Sequence, residues 1–340
     1  MGIILAGDVG GTKTLLCLAE PQAEGNPKVL FEARYPSASY EHLSLMVRVF
    51  LHQAQEELGY EPQPSKACFG IAGPVIDGTS ELTNLGWLLE SQHLSEELNI
   101  EGVKLINDFA AIGYGVLGMQ KSDLCTLQEG KAIAKAPIAI LGAGTGLGQA
   151  FLTWHGNSYE VYASEGGHAD FAPQTEIEIG LLKYLVSRYS RVSVERVVSG
   201  KGIVDIYRYL RDSEFAQESE QICDLVHNCD LGKSDQDPAA TISAAALAKE
   251  DVISEQTMLL FTKLYASEAG NMALRLLPYG GLYIAGGIAP KILPLLQQPQ
   301  FLAAIKRKGR VSYLLDNIPI HIVTHAGIGL IGAMLYADRL

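Results

Sequence analysis

Three features of the chain predict a two-domain α/β protein. Two stretches, I-I-L-A-G-D-V-G-G-T-K-T-L-L-C-L-A (Ile3 to Ala19) and I-A-I-L-G-A-G-T-G-L-G-Q-A-F-L (Ile138 to Leu152), share one plan. Each reads as an apolar strand, a Gly/Thr-rich turn and a second apolar strand, which suggests two related halves, one per domain. Strand-like and helix-like segments alternate along the rest of the chain, as in layered α/β folds. Finally, 340 residues is long for a single core.

The elements follow in order. After the first hairpin, an amphipathic helix is predicted near Tyr40 to Leu58. Strands are predicted at Ala67 to Ile71, before Gly73-Pro74, and at Val103 to Ile106. Beyond the second hairpin, a polar, acidic helical insertion is expected from about Ser193 to Glu250. Within it, Asp237-Pro238 opens an Ala-rich helix, with Asp as cap and Pro at the first helical position. A long helix from about Ser254 to Leu277 stops at Pro278, with Gly280 and Gly281 just beyond. The strand Leu282 to Gly287 comes next, and Gly327 to Leu340 reads as a closing helix.

Composition excludes several function classes. Hydrophobic residues make up 48% and charged residues 19%, an ordinary globular balance. The net charge is −12, and no Lys/Arg run forms a stripe, which argues against a nucleic-acid partner. Cys17, Cys68, Cys125, Cys223 and Cys229 are odd in number and scattered, as expected of reduced thiols in a cytoplasmic protein. No signal peptide is expected, since Asp8 interrupts the first apolar segment and no basic region precedes it. Ala136 to Trp154 carries no charge and nearly reaches spanning length. Gly142, Gly144, Gly146 and Gly148 alternate through its middle and would weaken a helix, so it is read as two strands around a turn, with no membrane partner.

Glycine after a strand suggests phosphate, because small residues let backbone N–H groups approach an anion. G-D-V-G-G-T-K-T starts like a P-loop, but Thr12 occupies the place of the second required Gly. G-A-G-T-G-L-G fails the dinucleotide pattern, and strand-like residues rather than a helix follow both turns. Tight hairpins without a ligand are the alternative. Two copies, with Thr12 and Thr145 each at a glycine turn, favour two hairpins holding the tail of a nucleotide. Asp8, at a strand-to-turn junction, is a candidate to hold Mg²⁺ through water, or a turn-capping aspartate. In K-L-I-N-D-F-A-A, Asn107 and Asp108 lie between two apolar runs, where a carboxylate without a partner would be costly.

In this order, D-V-G-G-T, I-N-D-F, G-A-G-T-G-L-G, E-G-G-H-A-D-F and I-A-G-G-I resemble the bacterial glucokinases of the actin/hexokinase-like ATPase superfamily, over most of the chain. The resemblance implies an α/β, two-domain actin/hexokinase-like (ribonuclease H-like) ATPase fold with an interdomain cleft. The small domain would be residues 1–118 plus 326–340, and the large domain 119–325 with the helical insertion. The implied reaction is ATP-dependent phosphorylation of the 6-hydroxyl of D-glucose with Mg²⁺, in a cytoplasmic homodimer. Asp8, Gly10, Gly11, Thr12 and Lys13 match the first phosphate hairpin, with Lys13 standing where many relatives carry Asn. Gly142, Gly144, Thr145 and Gly146 match the second, and Gly286 and Gly287 the adenosine motif. Asp108 matches the catalytic base. Asn84, Asn107, Glu165, His168 and Glu195 match sugar-binding residues, although Leu85-Gly86 departs from the polar pair common among relatives.

The chemistry is consistent with this set. Carboxylates, amides and imidazole grip a neutral polyol directionally. A primary hydroxyl attacking a γ-phosphoryl group needs a carboxylate to orient it and take its proton. Each residue also has a structural alternative. Asp108 could cap a helix from Phe109 onward, Glu195 could be a surface charge, and His168 could be structural. On a helix, the E-x-x-H spacing of Glu165 and His168 could ligate iron, but Gly166 and Gly167 oppose a helix there.

The alternatives to glucose phosphorylation are a kinase for another hexose or amino sugar, or a non-kinase ATPase of the same superfold. The zinc-containing repressor–ORF–kinase branch is disfavoured, because no Cys lies between Cys125 and Cys223. A repressor would need a helix-turn-helix before the first strand, and a chaperone would need a peptide-binding domain that the chain has no residues to build.

Overall fold

A computed structural model describes residues 2–23, 25–217, 219–230 and 236–340. The chain divides into two compact units. Unit 1 comprises Met1–Asp123, Val161–Ala163 and His325–Leu340, and unit 2 comprises Leu124–Glu160 and Ser164–Thr324.

In chain order, the elements up to residue 123 are β1 (Ile4–Val9), β2 (Lys13–Glu20), β3 (Lys28–Pro36), α1 (Leu43–Leu58), β4 (Lys66–Ile71), β5 (Thr79–Leu82), β6 (Trp87–Glu90), α2 (Ser91–Leu98), β7 (Gly102–Asn107) and α3 (Asp108–Val116). Next come β8 (Leu124–Gln128), β9 (Ile138–Ala143) and β10 (Leu147–His155) of unit 2, and β11 (Ser158–Ser164), of which Val161–Ala163 are counted with unit 1. The helices α4 (Glu176–Tyr189), α5 (Gly200–Asp212), α6 (Glu220–Asp230), α7 (Pro238–Ala248) and α8 (Val252–Leu276) follow. Then come β12 (Gly281–Ala285), α9 (Leu293–Leu296), α10 (Pro299–Lys306) and β13 (Ile320–Val323), and α11 (Ile328–Arg339) completes unit 1.

Among the described residues, the main sheet of unit 1 runs β3-β2-β1-β4-β7 and that of unit 2 runs β11-β10-β9-β12-β13-β8. The two sheets share a plan. In each, a central strand pairs antiparallel with the next strand of its hairpin and parallel with a later strand on the other side. The repeat read from the sequence is thus a repeat of sheet topology, with β8 added at one edge. The charge-free stretch from Ala136 to Trp154 is β9, a turn and β10, and among the described residues no helix is long and apolar enough to cross a membrane.

Alternation along β1 explains the layering of unit 1. Ile4 and Ala6 join Cys17, Cys68 and the α11 residues Leu330, Ala333 and Met334 in one cluster. Leu5 and Val9 join Leu16, Phe69 and the α1 residues Leu43, Met46 and Phe50 in another. Helix α11 crosses α3 closely, because a Cβ at Gly332 would overlap Ala111 O and one at Gly115 would overlap Ile328 O.

Unit 2 corrects the expected insertion. Ile203, Ile206, Tyr207 and Leu210 of α5 and Ile242, Ala245 and Ala246 of α7 are buried in the unit's main core with Phe261 and Tyr265 of α8. These helices are therefore part of the domain. Their apolar residues recur at helical spacing within a stretch whose average is polar. Residues 218 and 231–235 of the expected insertion lie outside the described residues. The Asp237 cap is as expected, its carboxylate accepting from the Ala239 N–H at 3.0 Å. The first predicted helix starts later than expected, at Leu43, after a 3-10 turn at Ser37–Ser39.

Candidate active site

In unit 1, the turn between β1 and β2 is built around Ser37. The Gly10 N–H donates to Lys13 O at 3.1 Å, closing the turn. The buried Ser37 hydroxyl donates to Gly10 O at 2.7 Å, and the Ser37 N–H donates to Thr12 O at 3.0 Å. The carbonyls of Gly10, Thr12 and Lys13 are thus satisfied within the protein, while the Thr12 and Lys13 side chains are exposed. Asp8 lies on β1 just before the turn. Burial raises its carboxyl above the ordinary range, and the positive charge of Lys13 acts in the opposite sense. A Cβ on Gly329, in the first turn of α11, would come within 3.2 Å of Asp8 Oδ2, so the carboxylate sits against a helix start. Asn84 lies beside the same turn, its Nδ2 3.7 Å from where a Cβ on Gly11 would be. Gly86 has φ +66°, left-handed backbone that accounts for glycine at this departure from the family pattern.

The Asn107-Asp108 pair divides its tasks. Asn107 is the N-cap of α3, its Oδ1 accepting from the N–H groups of Phe109 at 2.9 Å and Ala110 at 3.2 Å. Its Nδ2 donates to Gly73 O at 2.9 Å, tying the cap to the segment after β4. Asp108 is the first helical residue, with Oδ1 2.9 Å from the Phe109 nitrogen. The cap read as an alternative for Asp108 therefore belongs to Asn107.

In unit 2, the turn from β9 to β10 is braced by Gly144, whose N–H donates to Gly146 O and whose carbonyl accepts from the Gly200 N–H, both at 2.8 Å. Thr145 is exposed. The Leu147 N–H donates to Glu195 Oε2 at 2.9 Å, and a Cβ on Gly146 would crowd that carboxylate. Glu195 is thus tied to the hairpin, which excludes the simple surface-charge reading.

Glu165 precedes a 3-10 turn at Gly166–His168. The two side chains are exposed, with His168 Nε2 3.8 Å from Glu165 Oε2. Among the described residues, no group of three or more His, Cys, Asp or Glu could hold a metal ion, and the iron reading is not carried further. The segment is stitched to the one carrying Glu195. The Phe171 N–H donates to Val192 O at 3.1 Å, and the Val194 N–H to Ala169 O at 2.9 Å. Arg191 adds bonds from Nη2 to His168 O and to Asp170 Oδ1, both at 2.7 Å. Unit 2 therefore brings Glu165, His168, Glu195 and the second glycine turn into one connected assembly.

Gly142 and Gly286 permit a close approach of β9 and β12. A Cβ on Gly142 would lie 2.8 Å from Ala285 C, and one on Gly286, at φ +83°, 2.9 Å from Ala143 N. A Cβ on Gly144 or Gly287 would meet no neighbour within 4 Å. Tyr265 of α8 holds both strand ends, its hydroxyl accepting from the Ala143 N–H at 3.1 Å and donating to Ala285 O at 3.3 Å. Ser37, Arg191 and Tyr265 were invisible to motif reading, because a buried Ser, a surface Arg and a core Tyr carry no local signal of their partners.

A sequence profile of the glucokinase family matches residues 5–340. The chain belongs to the glucokinase family. It is 53% identical over 346 aligned positions to a glucokinase of Nostoc punctiforme, with 100% of each chain covered. Among solved structures, a glucokinase from an Antarctic psychrotroph has a TM-score of 0.85 at 29% identity, covering 100% of both chains. A glucokinase of the repressor–ORF–kinase branch from Streptomyces griseus, solved with glucose and AMPPNP, has a TM-score of 0.66 at 16% identity over 100% of both chains, a likeness of fold alone. The fold is the actin/hexokinase-like one expected from the sequence. As a member of this family the chain is an enzyme, a sugar kinase, and the non-kinase ATPase reading falls away.

Proposed function

We propose that the chain transfers the γ-phosphoryl group of ATP to the 6-hydroxyl of D-glucose through Asp108, giving glucose 6-phosphate and ADP. One observation carries the choice of base. Asn107 already caps α3, so the helix does not need a carboxylate at position 108 to begin. In this reading Asp108 orients the 6-hydroxyl and accepts its proton. Asn107 spends Oδ1 on the cap and one Nδ2 proton on Gly73, and the second Nδ2 proton faces a sugar oxygen. Glu165, His168 and Glu195 hold further hydroxyls, with Asn84 on the sugar side of the first hairpin.

The residues present suit a nucleotide. Open backbone at Gly144 and Gly287 lets phosphate and adenosine approach where a Cβ would intrude. Thr12, Thr145 and Lys13 are exposed donors at the two turns, with Gly10, Gly11, Gly142, Gly146 and Gly286 keeping the backbone close. Asp8 offers a hard carboxylate oxygen of the kind Mg²⁺ takes, directly or through water. Bound there, Mg²⁺ would neutralise charge developing on the phosphates. We further propose a cytoplasmic homodimer.

A coupled assay with ATP and a panel of sugars tests the reaction. Glucose is expected to be the preferred acceptor, since carboxylates that accept hydroxyl protons leave poor room for a 2-acyl group. A comparable kcat/KM for N-acetylglucosamine would overturn the substrate assignment.

Asp8→Asn is expected to lower kcat by at least about 100-fold, the scale of several kcal/mol of metal-borne stabilisation. Its effect on stability has the opposite sign. Burial raises the folded carboxyl above its unfolded value, so the folded chain keeps this proton to higher pH. The resulting penalty is absent below the unfolded value and sets in as pH rises toward the folded one. At neutral pH the variant should therefore unfold no lower than wild type, with the difference closing below the ordinary value of 3.8. A clearly lower Tm at neutral pH would show that the carboxylate is a net stabiliser.

A further inference from the structure

Gln149 and Glu268 are buried polar side chains for which the proposed reaction has no use, with relative exposures of 3% and 2%. Gln149, on β10, donates from Nε2 to Glu268 Oε1 at 3.0 Å. Glu268, on α8, is fixed in turn by Arg275 Nη1 at 3.1 Å on Oε1 and Asn271 Nδ2 at 2.9 Å on Oε2. Lys308 Nζ completes the set, donating to Asn271 Oδ1 at 2.7 Å and to Ser267 O at 2.9 Å. Losing one donor would leave a buried carboxylate underpaired, so the network holds the Gln149 amide in one place.

What lies against that amide is the turn Gly166–His168. A Cβ on Gly166 would overlap Gln149 Oε1 and lie 2.8 Å from its Cδ. Gly166 does not have the positive φ that favours glycine, so its lack of a side chain is a matter of space, and Gln149 takes that space. Gly167 differs, because its Cβ would overlap the Leu147 carbonyl, which is backbone and cannot be trimmed away.

We propose that Gln149, locked by Glu268, is a positioning residue that sets the height of the Glu165–His168 turn and with it the enzyme's affinity for glucose. The proposal rests on the reading above in which Glu165 and His168 bind the sugar. Gln149 touches the turn's backbone and acts through it.

The test compares Gly166→Ala, Gln149→Ala and the double variant with wild type, reading KM for glucose, KM for ATP, kcat and Tm. Gly166→Ala is expected to raise KM for glucose by about 10-fold or more, since displacements near 1 Å carry large kinetic effects. Adding Gln149→Ala removes the obstructing amide, so the double variant should recover most of that loss, while KM for ATP stays within about two-fold throughout. Gly167→Ala should not be rescued by Gln149→Ala. If Gly166→Ala yields no soluble protein, recovery of folded protein in the double variant reads the same coupling. An unchanged KM for glucose in Gly166→Ala, additive effects in the double variant, or a double variant that also fails to fold overturns the proposal. Gln149→Ala that lowers Tm without moving KM for glucose reduces Gln149 to a structural residue and overturns it too. Glu165→Gln separates the two levels. If it leaves KM for glucose unchanged, the sugar-site reading fails, and if it raises KM while the Gly166–Gln149 pair is uncoupled, only the positioning role fails.

Discussion

Asp108→Asn should lower kcat at saturating glucose and ATP by at least about 100-fold, the lower end of general-base effects. The substitution keeps the size of the side chain and removes its capacity to accept a proton. KM for glucose should change only a few-fold, because Asn107, Glu165, His168 and Glu195 still hold the other hydroxyls in the proposed complex. The protein should also remain folded. Asn107 supplies the N-cap of α3, and an asparagine carbonyl can keep the short contact that Asp108 Oδ1 makes with the Phe109 N–H. A loss of activity in this variant therefore cannot be assigned to a lost helix start. Capping costs of about 0.5–2 kcal/mol are expected instead for Asn107→Ala, read by thermal unfolding. A kcat for folded Asp108→Asn within a few-fold of wild type would remove Asp108 from the mechanism.

Gly146→Ala should behave as a glucose-binding defect although Gly146 belongs to a turn proposed to hold phosphate. A Cβ there crowds the Glu195 carboxylate, which is held 2.9 Å from the Leu147 nitrogen. Pushing that carboxylate aside would remove the charged hydrogen bond that Glu195 makes to the sugar in the proposed complex, worth about 1.5–3 kcal/mol. That corresponds to roughly a 10- to 100-fold rise in KM for glucose. Glu195→Gln should show a defect of the same kind, and the double variant should be little worse than either single one, since both act on one interaction. If Gly146 serves only to admit phosphate, Gly146→Ala should instead raise KM for ATP and leave KM for glucose alone.

What the sequence determined is what few residues encode among themselves. The two hairpins follow from apolar runs interrupted by glycine, and strands of this kind pair with their nearest neighbour in the chain. The start of α7 follows from Asp237-Pro238, because a cap and a fixed φ act within one turn. The ordered set of motifs from Asp8 to Gly287 was enough to identify the family. The buried stripe of α5 was also present in the spacing of Ile203, Ile206, Tyr207 and Leu210. The stripe is masked by the polar average of the segment and emerges only from its period.

The tertiary structure decided which partner each polar group takes. Adjacent residues Asn107 and Asp108 could each have capped α3, and the choice fell to Asn107, whose amide also reaches Gly73, 34 positions earlier. Glu195 finds the Leu147 N–H across 48 positions, Gln149 finds Glu268 across 119, and Ala143 finds Tyr265 across 122. Such pairings leave no local trace, because a hydrogen bond depends on the position and direction of two groups, and those are set only when the sheets and helices have packed. The glycines show the same division. Gly286 is required by its own backbone angle, whereas Gly146 and Gly166 are required by side chains that the fold delivers from elsewhere.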